Sequence, residues 1–343
     1  MKEIESHTAL RGLASIGVVL FHYTIGLNYH HYLEKSHAFV DMFFILSGFI
    51  IAAVYSGYLV PGAKFRYRSF YFSRFARIYP LYIAALTLTV GFFVVVGKEM
   101  HDEAASHIAF SLFAVQAWGV SDQFYFNFPA WSISAEFAAY LCFPIFALYW
   151  RNRSSIPLLL AVVVLSYIIL IHNYGTLNID ERLAGLRGVV GFALGMIVYH
   201  YRGMTEKLQN INLMQIGAIL SLFSCFYFEV SEIFLIPSFA ALIALTWTDS
   251  GFLARFLSIR IFQLLGAWSF GIYLLHIPIT MVGSYLWPHV PFVNLQNKEL
   301  FITVMLASTI MAAFLSYQYF EKPMRKWIKS LATDNHSSRL KRD

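Results

Sequence analysis

The chain has 343 residues, of which 58% are hydrophobic and only 13% charged, with a formal net charge of +6. Soluble domains carry roughly a quarter charged residues, so this composition excludes a soluble globular protein. The positive balance is explained by where the basic residues fall, and no nucleic-acid partner is expected.

Apolar stretches of about 20 residues, each long enough to cross a hydrocarbon core of about 30 Å, recur along the chain. They lie at 9–28, 38–58, 77–97, 131–150, 156–173, 186–201, 213–228, 232–248, 264–287 and 300–320. This pattern predicts an all-α, polytopic membrane protein of about ten transmembrane helices. The first stretch carries Arg11 and His22 and lacks a small-residue cleavage site, so it reads as a retained helix and not a signal peptide. The stretch 108–118 is apolar but short, and is expected at the interface or as a re-entrant segment. Residues 1–328 form one transmembrane domain in this reading, and 329–343 a basic, disordered tail. Cys142 and Cys225 both sit in apolar spans and read as core fillers, with no disulfide framework or metal site expected.

Ten spans place both termini on one side. On that side fall 19 of the 25 Lys and Arg residues, including Lys64, Arg66, Arg68, Arg74 and Arg77. Lys35, Lys98, Arg182 and Lys298 fall on the other, with Arg11 and Arg187 near or within spans. The positive-inside rule then makes both termini cytoplasmic.

Arg11 and His22 are eleven residues apart, about 20° past three full helical turns, and so share one face of the first helix. Intramembrane ionisable groups mark functional sites by default. The alternatives are an arginine that snorkels to the headgroups and a satisfied core histidine. Glu136, counted from the outer end of its helix, lies at about the depth of His22 and is a natural partner for an imidazole. Asp41 sits higher, as a site residue or a solvated helix start. Arg74 and Arg77 are spaced to share a face and suit phosphate oxygens, although positive-inside bias alone accounts for such a pair. His276 falls near mid-membrane. The aromatic group Phe124, Tyr125, Phe126, Phe128 and Trp131 forms either an interfacial belt or a stacking surface for sugar rings.

Taken together these segments resemble the acyltransferase-3 family of bacterial integral-membrane O-acyltransferases. The residues that carry the resemblance are Leu10-Arg11-Gly12-Leu13-Ala14 with His22, the run Asp41 to Phe49, Arg74 with Arg77, Trp131 to Glu136, Tyr273 to His276, and Glu321 to Arg325. They cover essentially the whole chain in the family's order. The resemblance implies O-acylation of a glycan or glycolipid, most often O-acetylation, in the bacterial cytoplasmic (inner) membrane. Acyl-CoA from the cytoplasm is the implied donor, and no permanently bound cofactor is expected. It also implies that His22 is the catalytic histidine, Arg11 its paired partner, and Arg74 with Arg77 the basic pair. Two departures stand out. Some members carry a C-terminal hydrolase-like domain, which these 343 residues do not include. Phe137-Ala138-Ala139-Tyr140 follows Glu136 where many members have an acidic or aromatic pair.

The expected mechanism has His22 as general base on the acceptor hydroxyl, with Glu136 orienting the imidazole, Arg11 and Asp41 completing the catalytic set, and Arg74 and Arg77 on the CoA phosphates. Trp131, Ser134, His276 and Tyr125 are the candidate acceptor-binding residues. Expected partners are acyl-CoA, a carbohydrate or glycolipid acceptor and the lipid bilayer, with a homo-oligomer left open. A transporter or flippase of a lipid-linked sugar is the competing class, since it also needs polar residues at mid-depth.

Overall fold

The computed structural model describes residues 3–25, 31–98, 100, 102–121, 126–152, 155–179, 183–228, 230–290 and 297–337, and among them every regular element is a helix. The main helices in chain order are α1 (Glu5–Thr24), α2 (Phe39–Val54), α3 (Tyr67–Val95), α4 (Ala104–Leu112), α5 (Trp131–Arg151), α6 (Ile156–Tyr174) and α7 (Ala184–Tyr201). They continue with α8 (Ile211–Tyr227), α9 (Leu235–Thr246), α10 (Gly251–Leu257), α11 (Arg260–Leu286), α12 (Lys298–Ser316) and α13 (Lys322–Ser337). Each expected apolar stretch overlaps one of these helices. Among the described residues, six segments are long and apolar enough to cross a membrane, and a seventh if Glu232–Thr246 and Gly251–Leu257, bent by 87°, count as one broken span. This is the architecture of a multi-pass membrane protein.

Polarity sorts the helices between centre and rim. The segments Ile156–Tyr174 and Lys298–Leu331 bury only 22% and 17% of their most apolar windows and form the periphery, whereas Lys35–Val54 buries 72% and lies at the centre. α1 and α7 are more polar, carrying His7, Ser15 and Arg187 on buried faces. Neighbouring helices, not lipid, surround those groups, so the cost of polarity in hydrocarbon is avoided. The stretch 108–118 ends α4 and enters an irregular turn, Gln116–Val120, where Gly119 takes φ +81°. The tail expected to be disordered from 329 is instead helical through Ser337, with the exposed basic residues Lys322, Arg325 and Lys326 and a buried Ile328. That helix packs on α3, which supplies the partner that the sequence does not announce.

Two helix crossings set the frame, and both depend on glycine. Where α1 meets α11, a Cβ at Gly266 would lie 2.0 Å from the Thr8 carbonyl oxygen. Where α2 meets α7, a Cβ at Gly48 would lie 1.9 Å from the Phe192 carbonyl oxygen, and one at Gly195 equally close to that of Ile45. Small residues let the backbones touch, and van der Waals packing then substitutes for the hydrophobic drive that lipid does not supply. The start of α1 is held from a distance. The Asp249 carboxylate accepts from the Glu5 and Ser6 backbone N–H groups at 3.0 and 2.8 Å, satisfying donors that the helix itself leaves unpaired.

The α2–α7 crossing also contains a buried ion pair. Arg187 donates from Nε and Nη2 to the two Asp41 oxygens at 2.9 and 2.7 Å and from Nη1 to the Ile179 carbonyl at 3.2 Å. Both residues are essentially inaccessible, at 0% and 1% exposure. Asp41 is therefore neither a solvated helix start nor a free catalytic carboxylate; its charge is consumed in joining two helices. Removing one partner strands a buried charge, so Asp41→Ala and Arg187→Ala should each lower stability by about 3–5 kcal/mol, while the pair Asp41→Leu with Arg187→Met should recover much of the loss. Unfolding of the purified protein in detergent measures this; a double variant no more stable than either single one would refute it.

Candidate functional site

α1, α2, α3, α5 and α11 surround a cavity whose empty space, with its open mouth counted, is about 770 Å³. One part of its wall carries Arg11, Arg74 and Arg77, another Ser47, Glu136 and Tyr140, and a third Ser132 and Tyr273. Arg74 and Arg77 share one face of α3 through their spacing of three. Arg74 rests against the Tyr55 ring at 5.6 Å, and its Nε donates to Ser73 Oγ at 3.3 Å. Arg11 reaches across to α11, where Nη2 donates to Ser269 Oγ at 3.3 Å.

Glu136 answers these cations only in part. Its carboxylate accepts from Ser47 Oγ at 2.7 Å and from the Tyr140 hydroxyl one turn along α5. None of the three arginines forms an ion pair with a carboxylate among the described residues. Three guanidinium groups facing one hydrogen-bonded carboxylate leave a cavity with positive excess, and forked N–H donors suit phosphate oxygens.

The histidines lie beyond this cavity along the same helices. His22 does not line it; its Nδ1 is 2.8 Å from His276 Nε2, with the two rings within 8° of parallel. His276 is fully buried, and its Nδ1 is 2.5 Å from the Tyr273 carbonyl oxygen. Tyr273 thus joins the two regions, because its side chain lines the cavity and its hydroxyl meets Ser132 Oγ at 2.8 Å and the Pro129 carbonyl at 2.9 Å. Phe128 packs edge-on to the His22 ring, with centroids 5.0 Å apart. Its neighbour Asn127 explains the placement. Pro278 inside α11 has no N–H, so the Leu274 carbonyl lacks its usual helical donor, and Asn127 Nδ2 takes that place at 2.9 Å.

Several sequence expectations change here. Glu136 does not orient His22; its partners are Ser47 and Tyr140, and the group beside His22 is His276. Depth counted along two helix axes fixes height but not which neighbour lies across. Trp131 is buried, with the Arg187 guanidinium 5.3 Å from its ring, and offers no open face for a sugar. Ser134 is wholly buried, its Oγ accepting from the Ala117 N–H at 3.1 Å and its carbonyl from Trp118 Nε1 at 3.0 Å. His276 meets His22 and backbone, not a substrate surface. Phe124 and Tyr125 lie outside the described residues. Arg11, Arg74 and Arg77 line one cavity, brought together from chain segments more than 60 positions apart.

The sequence reading missed Tyr140, Ser47, Ser269, Tyr273 and Arg187 as functional neighbours. Tyr140 was visible as the i+4 position from Glu136, and Ser47 and Tyr273 stand inside motifs already singled out. Ser134 gives a direct check on the reassignment. Ser134→Ala leaves the Ala117 N–H buried and unpaired, which should destabilise the protein by about 1–3 kcal/mol. Unfolding of the purified variant in detergent measures this; a variant as stable as the wild type would refute the structural role of Ser134.

A family model described as an acyltransferase domain matches residues 4–319. The chain is 25% identical to YrhL of Bacillus subtilis, over 92% of its own length and 54% of that protein. It is equally similar to the O-acetyltransferase OatA of Staphylococcus aureus, over 92% of this chain and 56% of the relative. The peptidoglycan O-acetyltransferase OatA of Listeria monocytogenes is 23% identical over 95% of this chain and 56% of its own. The chain thus spans about half the length of the curated relatives it matches. No solved structure matches it. With nearly all of its length covered by the family model, the chain belongs to the acyltransferase-3 family.

Proposed function

We propose that this protein moves an acyl group, most often acetyl, from cytoplasmic acyl-CoA to a hydroxyl of an envelope or secreted carbohydrate, with His22 as general base. The observation that supports this reading best is the two-ended layout of one helix interface. Among the described residues, Arg11 belongs to a cluster of arginines that form no ion pair with a carboxylate, and an imidazole whose Nε2 makes no hydrogen bond stands eleven residues further along α1. That separation is about 16 Å, comparable to the reach of a pantetheine arm. Arg74, Arg77 and Arg11 hold the donor's phosphates, and the thioester is carried toward His22. The acceptor oxygen, made nucleophilic as His22 takes its proton, attacks the acyl carbon. The printed names of the relatives, O-acetyltransferase and peptidoglycan O-acetyltransferase, support acetyl as the acyl group and a glycan as the acceptor class.

In this proposal the chain crosses the bacterial cytoplasmic membrane with about ten helices and both termini inside, as the 19-to-4 division of loop basic residues favours. The arginine end of the cavity then opens toward the cytoplasmic donor, and the His22 end toward an acceptor outside. A reporter fused after Asp343 should be active only in the cytoplasm; activity of a periplasm-specific reporter at that position would reverse the orientation.

The chemical proposal is tested by separating binding from turnover. His22→Ala should lower transfer from acetyl-CoA by roughly two to four orders of magnitude, the usual contribution of a general base, with little change in affinity for the donor. Arg74→Ala with Arg77→Ala should do the reverse, weakening donor binding through the loss of charge-assisted contacts to phosphate. Calorimetric titration with coenzyme A and an acetyl-transfer assay read the two effects separately. Normal transfer by a correctly inserted His22→Ala protein would end the proposal.

A further inference from the structure

The contacts of the two histidines determine where their protons lie. A carbonyl oxygen can only accept, so His276 Nδ1, 2.5 Å from the Tyr273 carbonyl, carries the hydrogen of that bond. His276 is fully buried and bonded to no carboxylate among the described residues, and an unpaired imidazolium there would be costly. In its neutral ring the other nitrogen, Nε2, is an acceptor. His22 Nδ1, 2.8 Å away, then has to be the donor. In the neutral ring of His22 the remaining nitrogen, Nε2, is without a proton, and it makes no hydrogen bond with a described residue.

We infer that His276 is a positioning residue that fixes His22 in the Nδ1–H tautomer, so that Nε2 is the atom that accepts the acceptor's proton. The inference rests on the proposed role of His22 as base. It assigns to a neutral imidazole, anchored on a main-chain carbonyl, the task for which a carboxylate was expected.

The step balances as follows. The hydroxyl proton passes to His22 Nε2 while the hydroxyl oxygen bonds to the acyl carbon. Collapse of the tetrahedral intermediate breaks the carbon–sulfur bond. The same proton then leaves Nε2 with the thiolate as the free thiol of coenzyme A, so thioester and alcohol become ester and thiol. While His22 is an imidazolium, its Nδ1–H points at the His276 lone pair, and the chain of donors ends on the Tyr273 carbonyl. His276 orients the ring throughout and touches no reacting atom.

Two substitutions and one spectroscopic measurement test this. His276→Ala removes the acceptor for His22 Nδ1–H, whereas His276→Gln places an amide oxygen near the position of Nε2. The Ala variant should lose about 100-fold in kcat, the scale of a small misplacement in a catalytic site, with unchanged calorimetric affinity for coenzyme A. The Gln variant should recover most of that loss. Nitrogen-15 NMR of histidine-labelled protein in detergent should show His22 protonated at Nδ1 in the wild type and in the Gln variant, and a mixture of tautomers in the Ala variant. A proton on Nε2 of wild-type His22 would overturn the inference even if neither variant folded. A wild-type kcat for His276→Ala, or a Gln variant as slow as the Ala variant, would overturn it as well. These failures are distinct from failure of the proposed function, which shows itself as normal transfer by His22→Ala.

Discussion

The close contact of α1 with α11 is the constraint on which the functional region depends. Gly12 and Gly266 remove the side chains that would hold the two backbones apart, and the helices run side by side over much of their length. Two polar contacts then occur along the same seam, Arg11 with Ser269 and His22 with His276. An axial register set by packing is thereby converted into a fixed separation between an arginine end and an imidazole end. The other helices add to this seam: α3 contributes the second and third arginines, α2 and α5 the wall with Glu136, and the turn before α5 the ring against His22.

Charge is handled in two different ways within the same bundle. Asp41 and Arg187 neutralise one another with matched forks and join two helices. Arg11, Arg74 and Arg77 are kept near one another without such a match, and Glu136 is held by two hydroxyls instead of by a cation. Like charges brought together without partners are destabilising unless a ligand of opposite charge arrives. The pair and the arginine cluster therefore differ in electrostatic balance and in burial, since Asp41 and Arg187 are inaccessible whereas Arg11 and Arg77 stay partly exposed.

Much of this was legible in the sequence, and the residues show where legibility ended. The helical class, the apolar stretches and the shared face of Arg11 and His22 follow from periodicity and composition, which are local properties. Arg74 and Arg77 were found for the same reason. The partners were not. Asp41 looks equally available for catalysis whether or not an arginine 146 positions away is folded against it. Ser134 looks like a binding residue until the turn at 116–120 is seen docked on it, and Trp131 until the Arg187 guanidinium is seen beside its ring. Glu136 and His22 matched in depth, yet the azimuth of a helix within a bundle is fixed by tertiary packing, which one sequence does not disclose. The helix Lys322–Ser337 was not foreseen for a related reason: it is amphipathic, and the face it packs against belongs to α3.

Pro278 carries a consequence of another kind. By withholding one rung of the α11 ladder two residues past His276, it lends that rung to a different part of the chain, and Asn127 occupies it. The backbone that aims His276 and the turn that sets Phe128 beside His22 are thus mutually dependent, each closing a vacancy the other leaves. A change at Asn127 is therefore felt at both imidazoles, because the group that completes the α11 ladder comes from the turn that carries Phe128.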